Sequence, residues 1–342
     1  MRSAEGLTVL VGLAQGPVGY MNIRAEQVER IRAEFPSLRV IWARSRAEFE
    51  ANLPEADVVF VNLLTPTDLA RAKKLRWAHS TFAGVDKSLF PELVDSDVIL
   101  TRSGGTASIG IAEQVMGSLV YFARGMDLAV AAQAKRQWVR DQVGNVADEL
   151  FGATLGILGL GDIGCEIGRR AKAFGMRVVG LRRGEPAGRP GPRAAEGAER
   201  EYVDEVYGPD GLAALLGEAK YVVLALPLTP ETHHLMGTDQ FAAMRDGAVL
   251  VNIGRGSLVD EPALARALVE GKLRGAALDV FEVEPLPADS PLWAFSNVLI
   301  TPHTAGMNPS YLDRATDILC RNLHHLLNGE PLENVVDKKA GY

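Results

Sequence analysis

The sequence predicts an α/β protein of two doubly wound parallel-sheet domains, one inserted into the other. Three observations predict it. Two series of short apolar runs alternate with amphipathic stretches, a glycine-rich turn opens the second series, and one further helix lies beyond it. The chain has 342 residues, more than one ordinary core holds. Its 47% hydrophobic and 23% charged content is that of a globular chain rather than a disordered one.

The first series fills the N-terminal third. Residues 7–11, 39–43, 58–61, 76–80 and 98–101 read as buried strands, with amphipathic stretches between them. The first of these, 24–34, is a helix stopped near Pro36. Such alternation implies a mostly parallel sheet covered on both faces. A long helix is expected over 108–124, with Ala112, Val115, Met116, Leu119 and Val120 at helical spacing. A second helical run is expected over 128–138, and the domain junction falls near this pair. The second series supplies six strands, at 154–160, 176–181, 221–226, 248–252, 275–280 and 298–301. Between 182 and 200 a Gly/Pro/Arg-rich stretch opposes regular structure and reads as a surface loop. A last helix over 309–327 and an extended tail are expected to return to the first domain. The division is then 1–107 with 307–342, and 108–306.

Composition removes several function classes. The net charge of −7 and the lack of a long Lys/Arg run argue against nucleic-acid binding. The N-terminal residues have no apolar stretch long enough for a signal peptide or a span, so a soluble, cytoplasmic protein with no membrane partner is expected. Cys165 and Cys320 lack any CxxC spacing and read as thiols in a reducing compartment. His79, His233, His234, His324 and His325 lack metal-ligand spacing and read as structural or surface residues, and no metal is expected.

The most informative segment is TLGILGLGDIGCEIGRRAKAFGMRVVGLRR. Gly159, Gly161 and Gly164 form GxGxxG between an apolar strand and a helix, with another strand following. The first glycine permits a tight turn, the second lets a pyrophosphate approach the backbone, and the third lets helix and strand pack closely. The helix N-terminus offers N–H groups and a positive dipole end to phosphates. This context marks a Rossmann dinucleotide-binding domain. An NAD site places a carboxylate about 20 residues on, to hold the ribose hydroxyls. Here Arg182 and Arg183 stand there, and two guanidiniums suit the 2′-phosphate of NADP(H).

Three later segments each end a strand with a polar group. VNIGRGSLVDE places Arg255, AALDVFEVEPLP places Asp279 and Glu284, and VLITPHTAGM places His303. Ligands bind outside the carboxyl ends of parallel strands, so all three point to the crevice of the glycine turn. Hydride transfer to a keto acid needs a cation for carboxylate and carbonyl and a proton donor for the developing alkoxide. Arg255 has the planar fork for the first task. An imidazole such as His303 suits the second, and Glu284 is placed to orient it.

The motifs GLGDIG, ALPLTPETHHLMG, NIGRGSLVDE, ALDVFEVEPLP and PHTAG resemble the D-2-hydroxyacid dehydrogenase family, which includes glyoxylate/hydroxypyruvate reductases and phosphoglycerate dehydrogenases. The resemblance covers nearly the whole chain and is strongest over 111–307. It implies a Rossmann cofactor domain inserted into a flavodoxin-like substrate domain, and an oxidoreductase acting on a small 2-keto acid. Its implied roles are Arg255 binding and polarising substrate, and Glu284 pairing with His303, the acid/base. The STFAGVD stretch resembles the family's substrate loop, with backbone N–H groups of Ala83, Gly84 and Val85 near the substrate carboxylate. Asp162, Ile163 and Gly306 fall within matching motifs on the cofactor side. Ile253, Gly254 and Asp279 would line the nicotinamide, with Pro227 and Thr232 flanking the cofactor. A homodimer is also implied. Arg182 departs from the usual carboxylate, so NADP(H) is preferred, with NAD(H) possible. Two alternatives stand beside this reading: a dehydrogenase of another small anion such as phosphite, and a nicotinamide-sensing corepressor. Formate is disfavoured, because formate dehydrogenases of this superfamily carry Gln where Glu284 stands.

Overall fold

In the computed structural model, residues 6–12, 22–85, 88–182 and 201–341 are described. They divide into two compact units, one of 6–107 with 307–341 and one of 108–306 without the segment 183–200.

The first unit carries five strands: β1 (Thr8–Val11), β2 (Arg39–Trp42), β3 (Val58–Val61), β4 (Trp77–Ser80) and β5 (Ile99–Arg102). They pair in parallel in the order β2-β1-β3-β4-β5. This is the flavodoxin-like 2-1-3-4-5 order. TVLV in β1 and VVFV in β3 are buried at every position, because helices cover both faces of the sheet. Leu10, Phe49, Leu53, Val59, Leu93 and Leu100 form its core. The helix Tyr311–Asn328 belongs to this unit, where it packs beside the helix Ala25–Glu34 and ends at Gly329 with φ +72°.

The second unit carries seven strands: β6 (Thr154–Leu158), β7 (Arg177–Leu181), β8 (Glu205–Tyr207), β9 (Tyr221–Leu224), β10 (Ala248–Asn252), β11 (Leu273–Leu278) and β12 (Val298–Ile300). The order is β12-β11-β10-β9-β6-β7-β8, all parallel. Counted within the unit this extends the Rossmann order 3-2-1-4-5-6, and the order reverses between β6 and β9. Leu158, Val222, Phe241, Leu250, Leu264 and Leu278 anchor its core.

Both doubly wound sheets agree with the fold class read from the sequence, with corrections in detail. The edge strand β8 was not expected; its three residues are too short for a periodic signal. The second helical run is Met126–Ala134 rather than 128–138. Arg136 takes a left-handed φ of +55°, which a helix cannot continue, and Trp138 is left 91% exposed. A further helix, Arg140–Val146, also escaped the sequence reading.

Candidate active site

All the sequence-derived positions from 159 to 306 that are described lie beyond the carboxyl ends of β6, β7, β9, β10, β11 and β12. Parallel pairing brings these ends to one edge of the sheet.

The glycine turn follows β6. Gly159 has φ +103°, and a Cβ there would lie 2.6 Å from the Ala225 carbonyl oxygen. A Cβ on Gly164 would collide with the Gly159 carbonyl, so the helix Asp162–Ala173 sits hard against the strand end. A Cβ on Gly161 would meet nothing within 4 Å. Close contact at the first and third glycines with open space at the second is the arrangement that lets a pyrophosphate reach the backbone. The helix ladder opens with Cys165 N–H donating to the Gly161 carbonyl at 2.9 Å. The N–H groups of Asp162, Ile163 and Gly164 precede it and have no intrahelical acceptor. These residues fit a dinucleotide.

Arg182 follows β7 directly, and its N–H donates to the Tyr207 carbonyl at 3.1 Å, which ties it to β8. Arg183 lies outside the described residues. After β9, the Thr232 hydroxyl donates to the Pro227 carbonyl at 2.8 Å and accepts from the Thr229 N–H at 2.7 Å, so this side chain shapes its own loop.

Beyond β10, Asn252 is 1% exposed and organises the turn. Its Oδ1 accepts from Gly254 N–H at 3.1 Å and its Nδ2 donates to the Arg255 carbonyl at 2.9 Å. The Arg255 guanidinium donates to the Gly254 carbonyl at 2.8 Å, and Ile253 is buried.

The ends of β11 and β12 form one assembly. His303 Nδ1 lies 2.8 Å from Glu284 Oε2, with the His303 side chain 53% exposed. Glu284 Oε1 accepts from the Phe281 N–H, fixing the carboxylate to its own turn. His303 has φ +55°, a region that costs a non-glycine residue about 1 kcal/mol. Asp279 holds it there. The Asp279 carbonyl accepts the His303 N–H at 2.8 Å, and its carboxylate accepts from Thr304 N–H and Ala305 N–H, each at 3.0 Å. Thr301 Oγ1 donates to the same carboxylate at 2.6 Å and Gln114 Nε2 at 3.1 Å. Gln114 reaches this point from the helix Ser108–Ala123 and also donates to Thr301 Oγ1 at 2.8 Å. Asp279 therefore has a task the sequence did not reveal, fastening the segment that carries His303. Gly306 closes that segment.

Asn252, Gln114 and Thr301 were missed from sequence. The signals were there: Asn252 ends an otherwise apolar strand, and Gln114 stands among the apolar residues of a mostly buried helix.

In the first unit, Ala83, Gly84 and Val85 follow β4 in a loop, with Gly84 exposed and Val85 buried. Arg102 Nη1 donates to the Ala83 carbonyl at 3.3 Å. Among the described residues no group of His, Cys, Asp and Glu is arranged to hold a metal ion.

A Rossmann sheet with a glycine turn open to a phosphate, and a carboxylate-paired histidine at the same edge, is the arrangement of a dinucleotide-binding α/β protein. The model for the NAD-binding domain of D-isomer specific 2-hydroxyacid dehydrogenases matches residues 116–305. A glyoxylate reductase of Korarchaeum cryptofilum is 35% identical over 89% of this chain and 87% of its own length. A D-3-phosphoglycerate dehydrogenase of Methanocaldococcus jannaschii is 35% identical over 91% of this chain, which spans only 57% of that relative's length. Among solved structures, an NADPH-dependent glyoxylate/hydroxypyruvate reductase of Sinorhizobium meliloti, in complex with NADP and sulfate, superposes with TM-score 0.80. It is 33% identical and covers 98% of this chain and all of its own. The chain belongs to the D-isomer specific 2-hydroxyacid dehydrogenase family.

Proposed function

We propose that this chain reduces a small 2-keto acid, such as glyoxylate or hydroxypyruvate, to the D-2-hydroxy acid with NADPH. The observation that carries the reading is the His303–Glu284 pair, 2.8 Å apart, at the sheet edge that also holds the glycine turn and Arg255. When bound, the nicotinamide supplies a hydride to the carbonyl carbon. Arg255 binds the substrate through charge-assisted hydrogen bonds and draws electron density toward the carbonyl oxygen. An ionised Glu284 only accepts, so the hydrogen between the pair sits on His303 Nδ1. The protonated ring then gives its Nε2 hydrogen to the developing alkoxide, leaving a neutral Nδ1–H ring and a hydroxy acid. In the oxidative direction the neutral ring takes that hydrogen back. The backbone N–H groups of Ala83, Gly84 and Val85 are assigned to the substrate carboxylate by the resemblance of STFAGVD to the family's loop.

NADP(H) is preferred in this reading because Arg182 stands at the end of β7, where a carboxylate would favour NAD(H). The NADP bound to the Sinorhizobium reductase supports the same preference. Asp162, Ile163, Pro227, Thr232, Ile253, Gly254 and Gly306 are assigned to the cofactor's surroundings by their motifs. Asp279 is assigned there as well, alongside its hold on 301–305. The test is His303→Ala, which should lower kcat on the order of 10²-fold or more while NADPH affinity stays near wild type. Near-normal kcat in that variant would remove the acid/base assignment.

A further inference from the structure

The first unit contains a buried polar chain that none of these roles uses. His79 lies in β4 with no exposure, between Phe60 of β3 and Trp77 of its own strand. Its Nδ1 is 2.7 Å from Thr101 Oγ1, and its Nε2 is 3.1 Å from Ser103 Oγ. The neighbours decide where its hydrogen lies. Ser103 donates its one hydroxyl hydrogen to the Ser80 carbonyl at 2.9 Å, so toward His79 its oxygen only accepts and Nε2 must donate. Trp77 Nε1, a donor only, gives its hydrogen to Thr101 Oγ1 at 2.7 Å, which leaves the Thr101 hydroxyl hydrogen for Nδ1. Burial pushes the ring's pKa down to about 3, in keeping with a neutral imidazole.

Every donor in this chain has one direction: Trp77 to Thr101, to His79, to Ser103, to the Ser80 carbonyl. It ends where β4 passes into the loop of Ala83–Val85. The same turn is fastened again by Ser103 N–H to the Phe82 carbonyl at 3.0 Å, by Phe82 N–H to Ser80 Oγ at 3.2 Å, and by Ser80 Oγ–H to the Asn62 carbonyl at 3.1 Å. A satisfied neutral network contributes little more stability than an apolar cluster of the same shape. It does fix one geometry where apolar contacts tolerate several. We propose that His79 is a positioning residue for keto-acid binding: through Ser103 it sets the Ser80 carbonyl and hence the direction of the loop N–H groups of Ala83, Gly84 and Val85.

The proposal rests on the assignment of that loop to the substrate carboxylate. The experiment is steady-state kinetics of the full chain with hydroxypyruvate and NADPH. Ser103→Ala and His79→Leu should raise KM for hydroxypyruvate about tenfold, the scale of one buried hydrogen bond, with kcat and the NADPH KM changed less than about twofold. His79→Gln, whose amide nitrogen can still donate to Ser103, should recover part of that loss. Lys338→Met supplies the contrast. Lys338 Nζ donates to the carbonyls of Leu93, Ser96 and Val98, at the other end of β5, so its loss should lower Tm and leave the hydroxypyruvate KM unmoved. An unchanged KM in Ser103→Ala, or an equal rise in Lys338→Met, overturns the positioning role. If His79→Leu does not fold, Ser103→Ala, which removes one oxygen, still decides. Wild-type protein that turns over no keto acid overturns the loop assignment and this role together, whereas wild-type turnover with an unmoved KM in Ser103→Ala overturns only this role.

Discussion

At the scale of single residues, the proposed chemistry rests on a few side chains. Glu284 Oε2 lies 2.8 Å from His303 Nδ1, and Asp279 gathers the donors that keep His303 in a left-handed conformation. The exposed imidazole is held by its backbone and by one carboxylate, and the proposed mechanism uses its Nε2. In the proposed function Arg182 is the residue that sets the cofactor preference. Its guanidinium offers paired donors to a 2′-phosphate and gains little from a neutral hydroxyl. A carboxylate reverses both effects. Arg182→Asp should therefore shift the NADPH/NADH ratio of kcat/KM toward NADH by roughly ten- to a hundredfold. Wild-type protein favouring NADH, or a ratio that the substitution does not move, would refute the preference. Arg255, Glu284 and His303 were legible as candidate site residues because each follows a strand within a recognisable motif. Asn252, Gln114 and Thr301 were not, because they act on other residues of the protein, and their partners lie up to 187 positions away.

At the scale of elements, the glycine turn separates the demands of folding from those of binding. Gly159 is needed by the backbone itself, with φ +103° and the Ala225 carbonyl close by. Gly161 faces open space, so the fold makes no steric demand for a glycine there. Gly161→Val should keep Tm within a few degrees of wild type while weakening NADPH binding more than about tenfold, measured by thermal melts and fluorescence titration. Equal losses in both measurements would mean that the turn is merely structural. Long or repeated elements were legible: the strands beside the glycine turn, and the helix whose apolar residues recur from Ala112 to Val120. The strand Glu205–Tyr207 was not, because three edge residues, two of them exposed, carry no alternation. The helix starting at Met126 ends early because Arg136 turns left-handed, which no glycine or proline announces in the sequence.

At the scale of the whole molecule, the second unit exposes several large apolar side chains. Met126, Val130, Trp138, Phe151 and Phe174 are all at least 42% exposed. Met116, Val120, Met126 and Phe174 line one hollow, with Glu113 and Arg170 beside it. A two-fold dimer that buries this surface is expected, and light scattering at micromolar concentration should give twice the 36.8 kDa chain mass. A monomer mass would refute it. Hydride transfer to a keto acid is tested most directly by cofactor absorbance with a panel of 2-keto acids. NADPH should be consumed with glyoxylate or hydroxypyruvate in proportion to enzyme, and NADH more slowly. NADPH that binds tightly but is consumed with no member of the panel would contradict the claim and point to a sensor on the same fold.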